Sequence, residues 1–470
     1  MNRRDFLKAA GLGAASLALH GCTGPAPKTT APPAQKPNII FIIVDDMGWA
    51  DLPCYGGKHI QTPNINRMAA EGIRFTNAYS GCTVCAPARS VLMTGLHMGH
   101  TPVRGNTGGI PIRDQDVTVA EVLKHAGYVT GGFGKWGLGD VRTPGVPEKQ
   151  GFDTFFGYYH QVHAHYYWPE YLWSNSRIVP VLGEKGSAEG YTHYRIFGEM
   201  LHFIRTNKDR PFFCYAPWTP PHGRYEIPES DPAWKIYKDK PWPRMAKVVA
   251  AMVSMIDRHV GRLLELLSEL DIDRRTIVFF CSDNGAAARF EGTLDSSGPL
   301  RAFKRSMYEG GIRVPFIARW PGRIPKGAVS DLPCYFADVM PTFAELAAAT
   351  QYVPDNIDGL SILPTLTANP NEQKIHQFMY WEWQLYNWGK KQNIPNGLMQ
   401  AVRMGKWKAV RHRSDLPFEL YDLSSDIGEK NNLAADHPDI VARIEDYIKR
   451  TRTEPPPQIE PPKPEGKRYR

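Results

Sequence analysis

Two apolar runs, each closed by acidic or amide side chains, constrain the fold of this 470-residue chain more than any other feature. The runs are NIIFIIVDD at residues 38–46 and TIVFFCSDNG at residues 276–285. Neither run alternates apolar with polar residues, which is typical of strands buried on both faces of a parallel sheet. Ligands bind at the carboxyl ends of such strands. We therefore expect Asp45, Asp46, Asp283 and Asn284 to lie at one binding site.

From residue 37 onward, short apolar runs alternate with helical patterns, which indicates a mostly parallel sheet covered by helices. The further predicted strands are YVTGGFGKW (128–136), PFFCYAP (211–217) and RVPFIARWPG (313–322). The predicted helices cover residues 62–73, 117–128 and 245–270.

After about residue 365 the pattern changes to short runs that are typical of antiparallel strands joined by turns. These runs are HQFMYWEWQ, LMQAVRMGKWKAVRHR and FELYDLSSD, and a closing helix is predicted over residues 437–450. We therefore predict an α/β protein with a large, mostly parallel β-sheet sandwiched by helices. A smaller C-terminal α+β domain carries the short antiparallel sheet.

The N-terminus indicates export rather than part of the fold. Paired arginines, Arg3 and Arg4, precede a short apolar run in MNRRDFLKAAGLGAASLALHGC, which is typical of a twin-arginine signal. The run ends in LHGC, which resembles a bacterial lipoprotein cleavage site, so Cys22 is predicted to carry lipid. The protein is therefore predicted to be periplasmic or at the cell surface, and to meet the membrane only through a lipid anchor at Cys22.

Five segments are predicted along the chain. They are the signal at 1–22, a Pro/Thr-rich tether at 23–36, a main catalytic domain at 37–364, the antiparallel subdomain at 365–450 and a Pro-rich disordered tail at 451–470. The formal net charge of +8 comes partly from the two termini, and no basic stripe is interleaved with aromatic residues. Nucleic acid is therefore not expected as a partner, whereas a polyanionic substrate remains open.

The acidic strand ends offer three carboxylates and one amide oxygen, a set that suits Ca²⁺ or Mg²⁺ better than zinc. The alternative for each aspartate is that it caps a loop or a helix. Two buried strands with the same ending favour a metal, because charges beside such strands are costly unless something neutralises them.

Two more predicted strands are followed by Lys135 and His222, and Arg89 and Lys304 add positive charge if the fold brings them near. Together with a metal, these cations would bind an oxyanion such as sulfate or phosphate. A helix that begins near Pro87 would direct its free N–H groups at the same anion.

Cys82 and Cys85 form a C-x-x-C pair, which leaves a redox interpretation open. Export also permits disulfides among the six cysteines other than Cys22, although a chain of this size does not need them. A cysteine phosphatase loop is excluded, because the arginine that it needs six positions after the nucleophile is absent: Val91 and Ala88 stand there.

The segment CAPAR at residues 85–89, followed by SVLMTG, resembles the signature of type I sulfatases, in which the cysteine of C-x-P-x-R is oxidised to formylglycine. Other segments that look like this family are DDMGWADLPCYG, TPNINRMAAEGIRFTNAYS, GKWGLG, GFDTFFGY, SDNG, YEGGIRVPFIARWPG and ELYDLSSDIGEKNNLA. They cover most of the chain from residue 38 to about 445. The resemblance implies an alkaline phosphatase-like fold and a sulfuric ester hydrolase that acts on a sulfated carbohydrate or an aryl sulfate.

The resemblance also implies roles for individual residues. Asp45, Asp46, Asp283 and Asn284 would bind the cation, usually Ca²⁺ in bacterial members, with Mg²⁺ also possible. A dedicated maturation enzyme would convert Cys85 to formylglycine, which hydrates to a diol. Arg89 would orient the diol, Lys135 and Lys304 would hold sulfate oxygens, and His222 would protonate the leaving alcohol. One diol hydroxyl attacks sulfur, and the second allows sulfate to be expelled again, which a serine would not permit.

One position departs from the family. Gly137 stands where the family commonly has a histidine, two residues after Lys135. The nearby stretch HQVHAHYYWP offers His160, His163 and His165 as replacements, and we predict His165. The alternative is that His165 is an ordinary loop histidine.

Two other interpretations of the function stay open. A phosphoester or phosphonate monoester hydrolase would use the same scaffold, and a catalytically silent lipoprotein would bind sulfated glycan without cleaving it. The aromatic stretches at residues 158–159, 166–168 and 381–383 are either sugar-stacking walls or core packing.

Overall fold

A computed structural model describes residues 36–287 and 292–457 of the chain. The predicted export signal, the lipidation of Cys22, most of the predicted tether and the end of the predicted tail lie outside the described residues and stay predictions. None of the described helices is both long enough and apolar enough to cross a membrane.

The described residues form strands and α-helices, which we number in chain order. The strands are β1 Asn38–Asp45, β2 Ile73–Phe75, β3 Ala78–Tyr79, β4 Val129–Lys135, β5 Thr154–Tyr158, β6 Tyr171–Ser174, β7 Arg177–Pro180, β8 Phe212–Pro221, β9 Thr276–Ser282, β10 Phe316–Arg319, β11 Ala328–Ser330, β12 Cys334–Tyr335, β13 Met379–Asn387, β14 Gln392–Met404, β15 Trp407–Arg411 and β16 Glu419–Asp422. The helices are α1 Pro63–Ala70, α2 Cys85–Thr94, α3 Val119–His125, α4 Thr192–Thr206, α5 Pro232–Tyr237, α6 Arg244–Glu269, α7 Glu309–Ile312, α8 Val339–Leu346, α9 Leu363–Leu366 and α10 Pro438–Thr451.

The main sheet has the order β11-β2-β10-β9-β1-β8-β4-β5-β6-β7 in the described part of the chain. Its centre is parallel: β1 pairs with β8 on one side and with β9 on the other, and β4 pairs with β8 and β5. The predicted strand at 313–322 is β10, which runs antiparallel to β9. The prediction of a large, mostly parallel sheet is confirmed.

Strand β1 shows why the run at residues 38–45 has no polar alternation. Its odd-numbered residues, such as Phe41 and Ile43, pack into the core on one face of the sheet, with Phe343 of α8. Its even-numbered residues, such as Ile42, pack into the core on the other face, with Val253 of α6. Because the two faces are both covered, every position of β1 between its polar ends, from Ile39 to Val44, is apolar, and each fully buried aliphatic side chain contributes about 1.5–3 kcal/mol.

Strands β13 to β16 form a separate antiparallel sheet, as predicted for the C-terminal region. It packs with Ile444 and Ile448 of α10 in a third apolar cluster. Buried polar contacts attach it to the rest of the protein: Lys408 Nζ lies 2.8 Å from Glu309 Oε1 and 3.3 Å from Glu429 Oε1. The described residues belong to one compact unit, so the division at residue 365 stays a prediction.

Candidate active site at the carboxyl end of the sheet

Four neighbouring parallel strands, β9, β1, β8 and β4, bring their carboxyl ends to the same edge of the main sheet. Asp45 is the last residue of β1 and Lys135 is the last residue of β4. Asp283 directly follows β9, and His222 directly follows β8. Residues that lie far apart in the sequence therefore meet above the sheet, where open α/β folds place ligands.

A left-handed backbone turn lets Asp45 and Asp46 share one site. Successive residues of a strand normally direct their side chains to opposite faces. Asp46 has φ 66°, in the left-handed region, which is uncommon for residues other than glycine but which aspartate adopts more readily than most. Asp46 Oδ1 then accepts hydrogen bonds from Lys304 Nζ and, at 2.7 Å, from Asn284 Nδ2.

Helix α2 supplies Cys85 and Arg89, which lie one turn apart and so on the same side of the helix. Cys85 is the first residue of the helix, and Pro87 is tolerated in the first turn because its missing N–H has no partner there. Cys85 Sγ lies 3.2 Å from Asp45 Oδ1 and 3.3 Å from Lys304 Nζ. The predicted nucleophile therefore lies between a candidate metal ligand and a candidate sulfate-binding lysine.

Arg89 is fully buried beneath the site. Its Nη2 donates to Asp283 Oδ2 at 2.8 Å, and its Nη1 donates to the Lys135 carbonyl oxygen at 2.6 Å. Five donors in a fixed plane make arginine suited to such a bridging position. Arg89 thus fixes the end of β4 and the residue after β9 relative to helix α2.

Three carboxylates and three basic side chains form a set of ion pairs in the site. Lys135 pairs with Asp45, Lys304 pairs with Asp46, and Arg89 pairs with Asp283 and, at 3.5 Å, with Asp45. Every one of these side chains is at most 9% exposed, and a buried charge is tolerated only when it is paired. The charges of this set cancel, so an added divalent cation would give the site a net positive charge of the sign that a sulfate ester needs.

The pKa values within the set show how closely the carboxylates interact. Burial acts to raise the pKa of Asp45, but the positive charges of Lys135, Arg89 and Lys304 outweigh it and hold that pKa well below its usual value. Burial and the charge of Asp45 raise the pKa of Asp283 to about 7. When two neighbouring carboxylates repel each other, the pKa of one is raised, as it is for Asp283 beside Asp45. A divalent cation would favour the ionised form of both.

One orphaned atom fits a metal ligand. Asn284 Oδ1 is buried and has no hydrogen-bond partner among the described residues, although its Nδ2 donates to Asp46 and to the Gly285 carbonyl oxygen. Side-chain atoms of Asp45, Asp46, Cys85 and His222 lie within 4.8 Å of one another. With Asp283 close by, these oxygens fit Ca²⁺ or Mg²⁺, which bind carboxylate and amide oxygens.

His222 faces the same carboxylates from the end of β8. Its Nε2 lies 3.4 Å from Asp46 Oδ2, and its Nδ1 is buried without a hydrogen-bond partner in the described part of the chain. Burial lowers the pKa of His222 well below its usual value. The imidazole is therefore neutral at neutral pH before a substrate arrives.

The predicted replacement for the family histidine, His165, lies beside His222 rather than beside Gly137. The ring centroids of His165 and His222 are 4.4 Å apart. Burial lowers the pKa of His165 to about 2, so His165 is neutral as well. Of the other candidates, His163 is buried against Tyr158 and Tyr171, away from this pair.

The residue nearest to the space above Gly137 is Gln161, which sequence reasoning missed. A Cβ added at Gly137 would lie 3.8 Å from Gln161 Cβ and 3.9 Å from Gln161 Oε1. Gln161 Nε2 donates to the Asn106 carbonyl oxygen at 3.1 Å, whereas Oε1 is buried without a partner among the described residues. Asn106 Oδ1 in turn accepts from the backbone N–H of Ala86 at 3.1 Å, next to Cys85. The only sequence signal was the position of Gln161 within HQVHAH.

The six cysteines of the described residues are all free thiols. Cys82 Sγ lies 3.6 Å from the Glu382 carbonyl oxygen, and burial raises the pKa of Cys82 to about 12. Burial also raises the pKa of Cys85. The C-x-x-C interpretation therefore receives no support from a disulfide or a thiolate in this part of the chain.

A cleft of about 490 Å³ opens beside the start of α2 and is lined partly by Asn106 and Trp383. The aromatic residues singled out in the sequence fall into two groups, those in the core and those that line this cleft. Tyr158, Tyr159 and Trp381 are at most 1% exposed and belong to the core, as one of the two interpretations held. Trp383 is half-buried and forms part of the cleft wall.

Comparisons with known proteins agree with this geometry. The profile of the family described as Sulfatase matches residues 37–349. The profile described as N-sulphoglucosamine sulphohydrolase, C-terminal, matches residues 301–454, which include strands β13 to β16.

Individual relatives cover much of the same length. The chain is 35% identical to the N-acetylgalactosamine-6-sulfatase of Canis lupus familiaris over 396 residues, which cover 77% of this chain and 68% of that protein. It is 32% identical to the arylsulfatase A of Homo sapiens over 453 residues, which cover 85% of this chain and 84% of that protein. The crystal structure of Ps i-CgsB in complex with k-i-k-neocarrahexaose is similar with a TM-score of 0.76 and 28% identity, covering 90% of this chain and 94% of that one.

Proposed function

Because this chain belongs to the sulfatase family and hydrolyses sulfate esters, we propose that it acts on a sulfated carbohydrate, or on an aryl sulfate, with Cys85 as formylglycine. One observation carries the proposal: Cys85 Sγ lies within 3.3 Å of both Asp45 and Lys304, at the N-terminus of α2. A nucleophile at this position meets the metal ligands and the cations at once, at the positive end of a helix dipole.

Formylglycine supplies a hydrated aldehyde, whose one hydroxyl attacks sulfur and whose second hydroxyl allows sulfate to leave with the aldehyde restored. The protein's own residues hold this centre in place. Arg89 is fixed by Asp283 and by the Lys135 carbonyl oxygen, so its guanidinium stays beside residue 85 throughout the reaction. Preorganised groups of this kind need no rearrangement as charge develops.

Lys135 and Lys304 bind the sulfate oxygens in this proposal. Each is paired with one carboxylate, Asp45 or Asp46, before a substrate binds. A cation held by Asp45, Asp46, Asp283 and Asn284 would supply Lewis acidity and would take over those carboxylate charges. Both ammonium groups are then available to the substrate anion.

His222 donates the proton that the leaving alcohol needs. The imidazole is neutral in the substrate-free site, but an anion that binds among Lys135, Lys304 and Arg89 offsets their charges. Removing that repulsion raises the pKa of His222 toward the range in which it can act as a general acid.

The substrate class is supported by the relatives and by the charge of the site. Two of the similar proteins are a carbohydrate sulfatase by name and a structure that holds a neocarrahexaose. By analogy, we propose a sulfated glycan as the substrate of this chain, and aryl sulfates as smaller alternative substrates. Export through the N-terminal signal, a lipid anchor at Cys22 and a formylglycine-generating maturation enzyme belong to the same proposal.

The decisive experiment is mass spectrometry of the tryptic peptide of residues 75–89, from protein made with the maturation machinery. The expected peptide has lost the mass difference between a thiol side chain and an aldehyde, and the change maps to Cys85. The same preparation should release inorganic sulfate from sulfated sugars. An unmodified Cys85 in active protein, or release of inorganic phosphate in preference to sulfate, would overturn the proposal.

A further inference from the structure

Arg305 directly follows Lys304 but differs from it in having no partner. Its guanidinium makes no hydrogen bond and no ion pair with any described residue, and the side chain is exposed. It forms part of the wall of the cleft beside α2. A positive side chain at the edge of an oxyanion site is therefore free to bind something other than the protein.

The backbone of Arg305 is held in a strained conformation. Its φ is 71°, in the left-handed region that a residue with a long side chain rarely adopts. Two hydrogen bonds fix the turn: Arg305 N donates to the Thr83 carbonyl oxygen at 3.2 Å, and Lys304 N donates to the Ala286 carbonyl oxygen at 3.0 Å. Strain of this kind persists where the surroundings over-determine it, and functional sites are where it concentrates.

The opposite wall of the cleft is the end of the hairpin formed by β13 and β14. Trp383, Tyr386 and Trp388 line the cleft, and Trp388 is 62% exposed. The pairing of β13 with β14 shifts between Gln384 and Tyr386. The rings of Tyr386 and Trp388 then meet edge to face with centroids 5.1 Å apart. Large exposed aromatic side chains are costly to leave in water, so this wall suits a flat, partly apolar ligand.

The cleft lies next to the segment that carries the nucleophile. Asn106 lines it and accepts a hydrogen bond from the N–H of Ala86, the residue after Cys85. Arg305 reaches the same segment through the Thr83 carbonyl oxygen. A ligand in the cleft is therefore adjacent to the site where the sulfate ester is cleaved.

The charges of the cleft are unbalanced. No acidic side chain is among the described residues that line it. Its second cation, Arg104, is already consumed by Glu382 and by the carbonyl oxygens of Gly99 and Thr453. In a second cleft of similar volume, about 510 Å³, the lining charges pair among themselves, as Lys185 with Glu226 and Arg244 with Glu229. The cleft with Arg305 is thus selective for an anion.

We propose that this cleft binds the sugar next to the scissile sulfate, and that Arg305 selects substrates with a second anionic group on that sugar. The pyranose ring stacks on Trp383 or Trp388, while the guanidinium binds a carboxylate or a second sulfate through paired N–H donors. The inference rests on the proposed function and narrows its substrate class to polyanionic oligosaccharides. Arg305, Trp383 and Trp388 are then specificity-determining residues.

The test compares two oligosaccharides that share the scissile sulfate and differ only in the second anionic group. Arg305→Gln is expected to lower the preference for the doubly charged substrate, measured as the ratio of the two kcat/KM values, by about tenfold, which corresponds to about 1.4 kcal/mol. Arg305→Lys should keep part of the preference. Trp388→Ala should raise KM for both oligosaccharides relative to an aryl sulfate. Doubly charged substrates with a uronate and with a second sulfate distinguish the two sources of charge.

Arg443→Gln and Tyr352→Ala serve as matched controls, since both residues are exposed and lie outside the cleft. Neither control should change the ratio. Equal effects of Arg305→Gln on both oligosaccharides, or no effect on either, would overturn the inference while leaving the proposed function intact. Inactive wild-type protein would instead count against the proposed function. In that case, binding of the two oligosaccharides to Cys85→Ala protein and to its Arg305→Gln variant, measured by calorimetry, decides the inference alone.

Discussion

The carboxyl end of the main sheet and the cleft beside it differ in how their charges are satisfied. At the sheet, Lys135, Lys304 and Arg89 are buried and each is paired with a carboxylate. In the cleft, Arg305 is exposed and unpaired within the described residues, and the aromatic side chains around it are only partly covered. Paired, buried charges suit a reaction that is the same for every sulfate ester, whereas unpaired groups suit recognition of one particular sugar.

The largest expected effect concerns the nucleophile. Cys85→Ala removes the precursor of the aldehyde and should lower kcat/KM by about 10⁴-fold or more on every substrate, as is usual when a nucleophile is lost. The measurement is sulfate release from an oligosaccharide and from an aryl sulfate. Cys54→Ser, at a half-buried thiol outside the site, is the control and should retain activity. An active Cys85→Ala protein would contradict the mechanism.

Removing the divalent cation should have the next largest effect. Treatment with a chelator is expected to abolish activity on both kinds of substrate, and Ca²⁺ or Mg²⁺ should restore it. The ion should also raise the unfolding temperature, because a ligand that binds only the folded state stabilises it by about 2.7 kcal/mol at a hundred times its Kd. Asp283→Asn should weaken this shift. An unfolding temperature that does not respond to either ion would count against the site.

Lys304 and Arg305 are adjacent in the chain but belong to the two different regions, so they give the sharpest test of the difference between these regions. Lys304→Gln should lower kcat by about 10²- to 10³-fold on all sulfate esters, because a positive group is lost where charge develops. Arg305→Gln should act only through the second anionic group, as described above. If both variants lowered kcat to the same extent on all substrates, the sheet edge and the cleft would not have separate roles in catalysis and in substrate selection.

His222 should matter in proportion to the basicity of the leaving group. His222→Ala is expected to lower kcat by about 10²- to 10⁴-fold for an alkyl or sugar sulfate, which is the usual contribution of a general acid. For an aryl sulfate with an acidic phenol the loss should be much smaller. A plot of log kcat against the pKa of the leaving alcohol is the measurement, and an unchanged slope would exclude the role.

The smallest effect is expected from His100, in the loop that leads from α2 to the cleft residue Arg104. His100 Nδ1 lies 2.9 Å from Asp358 Oδ2, and its Nε2 donates to the Thr451 carbonyl oxygen at 2.6 Å. The hydrogen bond to Asp358 raises the pKa of His100. The pair therefore stabilises the fold fully below the unfolded pKa of about 6.5, and this stability is lost as pH rises through the higher folded pKa.

His97 stacks on His100, but it affects stability in a lower pH range. Burial lowers its pKa to about 4, so its contribution is present above pH 6.5 and is lost only as pH falls toward 4. Arg104, on the same loop, stays charged throughout. Thermal unfolding of the wild type and of His100→Asn between pH 6 and 9 should converge as pH rises, and parallel curves would refute the assignment.

Much of the reaction centre was predictable from the sequence for a physical reason. A strand that is buried on both faces is apolar until it ends. Asp45 and Asp283 therefore show in the sequence where the two strands end. Parallel neighbours then bring those ends to one edge. The mostly parallel sheet and the antiparallel C-terminal sheet were confirmed, whereas the roles of the individual residues stay predictions that the geometry is compatible with.

The cleft was not predictable from the sequence, because its residues come from separate segments that meet only in the folded protein. Arg305 is an ordinary turn arginine until the hairpin with Trp383 and Trp388 closes the space in front of it. Trp381 and Trp383 lie two residues apart, yet one is core and the other cleft wall, since β13 leaves the body of the protein between them. Likewise, nothing in the spacing favoured Gln161 over His165 at the space above Gly137.

The burial of helix α2 sets an order of events during biosynthesis. Cys85, Pro87 and Arg89 are all buried, and Arg89 is tied to Asp283, which lies 194 residues later in the chain. On the proposed function, an enzyme that recognises C-x-P-x-R can reach these side chains only before the strand at Thr276–Ser282 has joined the sheet. Maturation then competes with folding in time, and a chain that folds first keeps its thiol permanently out of reach.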